Sequence, residues 1–292
     1  MSATPAVDRR SVVLGNGIDC RLHYRVATPR EDTEGTPVVL LHGGGIDEAS
    51  LSWRDVLRPL AAETGRRVYA LDWPGYGGSD PPTDDPTTEY YIGVLDAFLD
   101  SVGVDRCALV GISMGGGVAI GSALATPGRV TRLVAVDSYG LGGTVPGGPL
   151  GALFTRLPFA ALAWRALRRS RLAASLAVRG IVGPGNATPE LVADLRRALD
   201  RPDAGRAFEG FQRSEVGIGG LRTNYLDRLP ALSTPTLFVH GEHDPLVPVS
   251  WAVRATVLAP DATLRVLGGC GHWPPREAPD RFLGCVVPFL GE

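Results

Sequence analysis

A series of short apolar runs alternating with helical segments limits what this chain of 292 residues can become. Pro37-Val-Val-Leu-Leu41, Arg67-Val-Tyr-Ala-Leu71, Arg106 to Gly111, Val130 to Val136, Thr234 to Val239 and Thr263 to Leu267 read as strands. Leu51 to Glu63, Thr87 to Val102, the stretch after Gly111, Ser250 to Val257 and Pro279 to Leu290 read as helices between and beyond them. Runs this short and this uniformly apolar suit strands buried on both faces. Strands alternating with helices imply right-handed crossovers and a mostly parallel sheet covered by helices. Ahead of the series, alternating residues flank Gly15-Asn-Gly17 and predict an antiparallel hairpin over Val12 to Arg25.

The alternation breaks once. From Tyr139 to about Leu229 the pattern is helical, jointed at Gly142-Gly143, Gly147-Gly148-Pro149 and Gly183-Pro-Gly185, with helices expected over Leu150 to Leu176, Pro189 to Asp200 and Ala204 to Ser214. A helical block inserted into a strand–helix series predicts a cap over one edge of the sheet. The expected division is a core of residues 1–138 and 230–292 with a cap of 139–229.

Composition excludes several partners. The formal charge is -2, so neither nucleic acid nor a membrane surface is an expected partner. All 29 basic residues are arginine, which reads as genome composition rather than anion sites, and Arg165, Arg168, Arg169 and Arg171 read as a solvated helix face. No secretory apolar region follows Arg9 and Arg10, and no stretch is long enough to span a bilayer. Cys20, Cys107, Cys270 and Cys285 have neither metal-ligand nor disulfide-scaffold spacing. The expectation is a cytoplasmic enzyme with no metal or cofactor, acting on a small-molecule substrate, with a homodimer left open.

Gly111-Ile-Ser-Met-Gly115 lies between the run Cys107-Ala-Leu-Val110 and the small residues Gly116 to Ala125. At a strand-to-helix turn this pattern lets a nucleophile project from a strained corner whose neighbours need almost no side chain. Ser113 is therefore the candidate nucleophile. A serine hydroxyl needs a base within hydrogen-bond reach and an acid to orient that base. His272, in the loop Gly268-Gly-Cys-Gly-His-Trp-Pro-Pro275, is the candidate base. Asp244, in Gly241-Glu-His-Asp-Pro245 after a strand, is the candidate acid, with Asp137 and Glu242 as rivals. The other histidines, His23, His42, His240 and His243, read as structural.

An oxyanion needs two converging N–H donors. The Met114 amide is one, and the side-chain-free loop Gly43-Gly44-Gly45 offers the other, Gly44 ahead of Gly43. The turn-rich Asp72-Trp-Pro-Gly-Tyr-Gly-Gly-Ser-Asp80 reads as structural, with Trp73 expected near the pocket.

Taken in order, His-Gly-Gly-Gly45, Asp72 to Asp80, Gly-Ile-Ser-Met-Gly-Gly116, Gly-Glu-His-Asp-Pro245 and Gly-His-Trp273 resemble the α/β-hydrolase superfamily over essentially the whole chain. The resemblance implies an eight-stranded sheet, an inserted helical cap, and Ser113, Asp244 and His272 as the triad. Within the superfamily the chain is most similar to the meta-cleavage-product hydrolases, which cut carbon–carbon bonds, on Ser-Met-Gly-Gly116, Gly140-Leu-Gly142 and Cys270-Gly-His-Trp-Pro-Pro-Arg-Glu277. That likeness implies that Trp273 lines the pocket, and Gly43 in the oxyanion loop is also expected to contact substrate. Three departures matter. Ile46-Asp-Glu48 replaces Pro-Gly-Ala, Ile112 replaces an asparagine, and Leu195 stands where a cap arginine is expected, beside Arg196 and Arg197. Losing polar groups that would grip a dienolate points to a less polar ester or lactone, with carbon–carbon hydrolysis second. Perhydrolysis, and a binding protein that keeps the triad but turns over little, are the remaining alternatives.

Overall fold

A computed structural model describes residues 5–15, 17–29, 35–145, 148 and 159–291, and for 159–162 the backbone alone. The strands are β1 (Ala6–Val13), β2 (Arg21–Thr28), β3 (Val38–Leu41), β4 (Val68–Leu71), β5 (Cys107–Ile112), β6 (Val130–Val136), β7 (Val216–Gly217), β8 (Gly220–Leu221), β9 (Thr236–Gly241) and β10 (Ala262–Leu267). Eight of them form one sheet in the order β1-β2-β4-β3-β5-β6-β9-β10. β1 and β2 pair antiparallel, as do β2 and β4, and the remaining ladders are parallel. This is the α/β-hydrolase fold.

Every residue of β3, β4 and β5 is buried, as strands covered on both faces require. The two-residue period divides them between two cores. Val39, Leu41 and Leu109 join the core under the helices Thr88–Ser101, Met114–Ala125 and Val249–Leu258. Val38, Leu40, Ala108 and Val110 join the opposite core, under Leu57–Thr64 and Pro279–Gly291. Register then fixes the site's location: Gly111 of β5 lies beside Leu41 of β3 and Ala135 of β6. The residues after these strands, and after β9 and β10, therefore emerge at one edge, the C-terminal edge of the sheet.

Between β6 and β9 the described residues form the helices Phe159–Arg169, Arg171–Arg179, Pro189–Ala198 and Arg206–Glu215, followed by the β7–β8 hairpin. The helix expected over Leu150 to Leu176 is divided. Ser170 caps a new helix by accepting the Ala173 N–H, and residues 150–158 lie outside those described. Thr188 caps the next helix, with Pro189 in its first turn. The expected helix Leu51 to Glu63 is likewise broken, into Ala49–Ser52 and Leu57–Thr64.

Buried polar groups fasten this insertion to the sheet. The Glu215 carboxylate accepts the Thr88 N–H at 2.8 Å and the Tyr139 and Thr223 hydroxyls at 2.9 and 2.7 Å. Asp194 accepts from Arg54 and Arg276 of the core, and Glu277 accepts the Gly183 and Asn186 N–H groups at 2.7 Å each. Among the described residues no helix is long and apolar enough to cross a membrane. All four cysteines are free thiols.

Candidate active site

Ser113 sits at φ 54 and ψ -119, a region side chains other than glycine avoid. The corner is held on both sides: the Ser113 N–H donates to Val136 at 2.9 Å, and its carbonyl accepts from Gly117 and Tyr139 at 3.1 Å each. The flanking glycines are required by contact. A Cβ on Gly111 would lie 2.3 Å from the Gly115 carbonyl oxygen, and one on Gly115 would lie 2.3 Å from that of Leu41. Both obstacles are backbone and cannot swing away. Gly115→Ala is expected to cost about 3 kcal/mol or more, read as a lowered denaturant midpoint, because overpacking here cannot relax.

His272 follows β10 on a glycine-rich loop and is 8% exposed. Its Nδ1 lies 2.7 Å from Asp244 Oδ2, which places the ring proton on Nδ1 and leaves the Nε2 lone pair available. The loop is clamped by its neighbours. The His272 N–H donates to Ile181 of the cap at 2.8 Å, and Glu277 accepts the Gly271 and Trp273 N–H groups at 2.9 Å each.

Asp244 also accepts the Leu246 and Val247 amides, at 2.7 and 3.1 Å. Burial pushes its carboxyl up, but the His272 bond and charge and those two amides outweigh burial, and it is held below its ordinary value. Asp137 lies behind it, fully buried at φ 43, with Oδ1 accepting the Gly241 N–H at 2.8 Å. Burial, then the Asp244 charge, pushes the Asp137 carboxyl well above its ordinary range. Among the described residues Asp137 makes no hydrogen bond to His272. The second rival, Glu242, takes the Gly269 N–H at 3.0 Å at the surface.

Asp137, His240 and Asp244 are the described cluster whose ligand-type atoms lie within 4.8 Å of one another. Their chemistry does not suit a cation. The His240 Nε2 faces the Val247 carbonyl at 3.0 Å, and Asp244 is committed to His272.

The loop after β3 carries the expected oxyanion donors. The Gly43 N–H donates to Asp47 Oδ2 at 2.7 Å and is therefore engaged. Gly44 and Met114 find no acceptor among the described residues, and Met114 opens a helix, where amides lack an intrahelical partner. His42 fixes the loop from behind. It is fully buried, with Nδ1 2.8 Å from the Gly43 carbonyl and Nε2 accepting the Trp73 N–H at 3.1 Å. Burial pushes its pKa down to about 3, so it is neutral. Trp73, expected near the pocket, is instead completely buried, its indole donating to the His42 carbonyl at 3.0 Å.

Ser113 and His272 open onto one cavity of about 290 Å³, shared with Gly43, Gly44, Asp47 and Trp273. Ile46, Ile112 and Leu246 line it from the core; Trp164, Leu167, Ala177, Ile181, Leu195 and Phe208 line it from the cap. No arginine is among these residues. A larger groove of about 710 Å³ lies between Gly75 to Pro86 and the helix containing Arg213, away from Ser113, and is partly closed by the Asp85–Arg213 ion pair.

Asp47, Phe208 and Glu277 were not among the residues singled out from the sequence. The replacement of Pro-Gly-Ala by Ile46-Asp-Glu48 was the one signal that marked Asp47. The Phe208 ring would come within 2.5 Å of a Cβ on Gly44, so that glycine also admits the cap.

The alpha/beta hydrolase family model matches residues 38–284. The chain is 32% identical to a 2-hydroxy-6-oxononadienedioate/2-hydroxy-6-oxononatrienedioate hydrolase of Paraburkholderia phymatum, over 96% of this chain and 94% of that one. It is 31% identical to a 2-hydroxymuconate semialdehyde hydrolase of Pseudomonas putida, over 99% and 96%. Among solved structures, the meta-cleavage product hydrolase of Pseudomonas fluorescens IP01 superposes with a TM-score of 0.78 at 27% identity, over 96% of each chain.

Proposed function

The chain belongs to the alpha/beta hydrolase family, and from that premise we propose that it is a serine hydrolase of small, largely apolar carboxylic esters or lactones. His272 Nε2 takes the Ser113 proton as the hydroxyl attacks the carbonyl carbon. The Gly44 and Met114 amides hold the oxyanion, and Asp244 stabilises the imidazolium. Collapse expels the alcohol, protonated by His272. Water activated by the same imidazole then releases the acid.

One observation carries the choice of substrate class: among the described residues the cavity walls above Ser113 are chiefly aliphatic and aromatic, with Leu195 in the cap and no arginine. A substrate carboxylate buried there would be desolvated without a partner, at a cost of several kcal/mol. An apolar acyl chain gains about 0.8 kcal/mol per buried methylene, about fourfold in kcat/KM. On a series of p-nitrophenyl esters, kcat/KM is expected to climb by that factor per carbon until the cavity of about 290 Å³ is full, and then to fall. A flat series would contradict the assignment.

Carbon–carbon hydrolysis of meta-cleavage-type diketones is the second reading, favoured by the 32% and 31% identical relatives. Assaying esters, lactones and vinylogous diketones side by side separates the two. A diketone turned over tenfold faster than the best ester would establish the second.

A further inference from the structure

Asp47 is buried yet borders the cavity, and each of its carboxylate oxygens is used. Oδ2 accepts the Gly43 N–H at 2.7 Å, Oδ1 accepts the Glu48 N–H at 2.8 Å, and the Ser52 hydroxyl donates to the pair at 2.7 and 2.9 Å. Ser52 Oγ in turn accepts the Trp273 indole N–H at 2.8 Å. The result is one directed chain of donors ending on a single carboxylate: Trp273 to Ser52 to Asp47, met from the other side by Gly43.

The two ends of that chain matter. Gly43 precedes Gly44, the amide assigned to the oxyanion, and Trp273 follows His272, the assigned base. A Cβ on Gly43 would stand 3.2 Å from Asp47 Oδ2 and 3.3 Å from Ser113 Cβ, so the carboxylate is one residue's thickness from the nucleophile. With its own N–H turned back to Asp47, Gly43 cannot present that amide to the cavity. The peptide that follows is left to present the Gly44 N–H.

We propose that Asp47 is a positioning residue: by holding the Gly43 amide and, through Ser52, the Trp273 ring, it fixes the oxyanion loop and the His272 loop relative to each other. The role rests on the serine-hydrolase reading above. The Asp47 carboxylate oxygens are spent on Gly43, Glu48 and Ser52, so its effect falls on the transition state rather than on binding of the apolar group. Burial supports the same picture. It raises the Asp47 carboxyl, its three donors pull it back, and the balance leaves it at about 7.

The test is Asp47→Asn, assayed on a p-nitrophenyl ester beside the wild type, with folding followed by circular dichroism. An amide turns its NH2 toward one of the backbone donors whichever way it lies, so the loop loses a tie without losing volume. Turnover, kcat, is expected to fall by about 10²-fold, the scale of one oxyanion donor, with KM within threefold. A folded variant with kcat within threefold of wild type, or with only KM raised, overturns the proposal. If Asp47→Asn does not fold, Ser52→Ala carries the test: kcat lower by about tenfold at unchanged KM supports the coupling, and unchanged kcat overturns it. Wild-type protein that takes no fluorophosphonate on Ser113 overturns the hydrolase reading and this role with it. A labelled wild type with an unimpaired variant overturns this role alone.

Discussion

Ser113→Ala is expected to lower kcat/KM on the best ester by about 10⁴–10⁶-fold while leaving the thermal midpoint within a few degrees of wild type. Oγ is the only atom removed. The corner that carries it is held by backbone contacts, from Ser113 N–H to Val136 and from Gly117 and Tyr139 to the Ser113 carbonyl, and alanine retains all of these. The strain of φ 54 falls equally on alanine and serine because both carry a Cβ. Loss of activity with retained fold therefore reports chemistry at the hydroxyl. A residual rate above a tenth of wild type would remove Ser113 from the mechanism.

The next largest effect separates two carboxylates. Asp244→Asn is expected to lower kcat by about 10³–10⁴-fold, because an amide cannot hold the His272 Nδ1–H and stabilise the imidazolium as a carboxylate does. Asp137→Asn is expected to change kcat by less than tenfold. Burial holds the Asp137 carboxyl well above its ordinary range, and the hydrogen bond it accepts from Gly241 through Oδ1 can be accepted by an amide oxygen. Steady-state kinetics of the two variants on one ester decide the assignment. The reverse ranking would make Asp137 the acid and would require His272 to turn away from the 2.7 Å contact with Asp244 Oδ2.

What could be read before the structure follows from range. The strands were legible because burial on both faces demands unbroken apolar runs, as in Val38–Leu41 and Cys107–Ile112. The helix expected from Thr87 begins where that residue caps it, accepting the Tyr90 N–H three residues on, a distance a local pattern covers. The strained corner at Ser113 was legible because its steric demands fall on adjacent glycines. The breaks at Trp53 and Ser170 were not, since apolar periodicity continues across both. The Asp47 chain was out of reach for a plainer reason: Ser52 and Trp273 are 221 residues apart, and nothing local to either names the other. The same holds for Glu277, which ties Gly183 and Asn186 of the cap to the His272 loop. Trp73 was placed near the pocket because it follows a strand end. Its indole is instead spent on the His42 carbonyl, behind the loop it supports.

The central claim is that Ser113 is a nucleophile activated by His272 at the C-terminal edge of the sheet. Intact-mass analysis after treatment with a fluorophosphonate, followed by peptide mapping, tests it most directly. The account predicts one adduct per chain, on Ser113, absent from Ser113→Ala and slowed at least 10²-fold in His272→Ala, in keeping with the worth of a general base. Folded wild-type protein that remains unlabelled, or that carries its adduct on another residue, would contradict it.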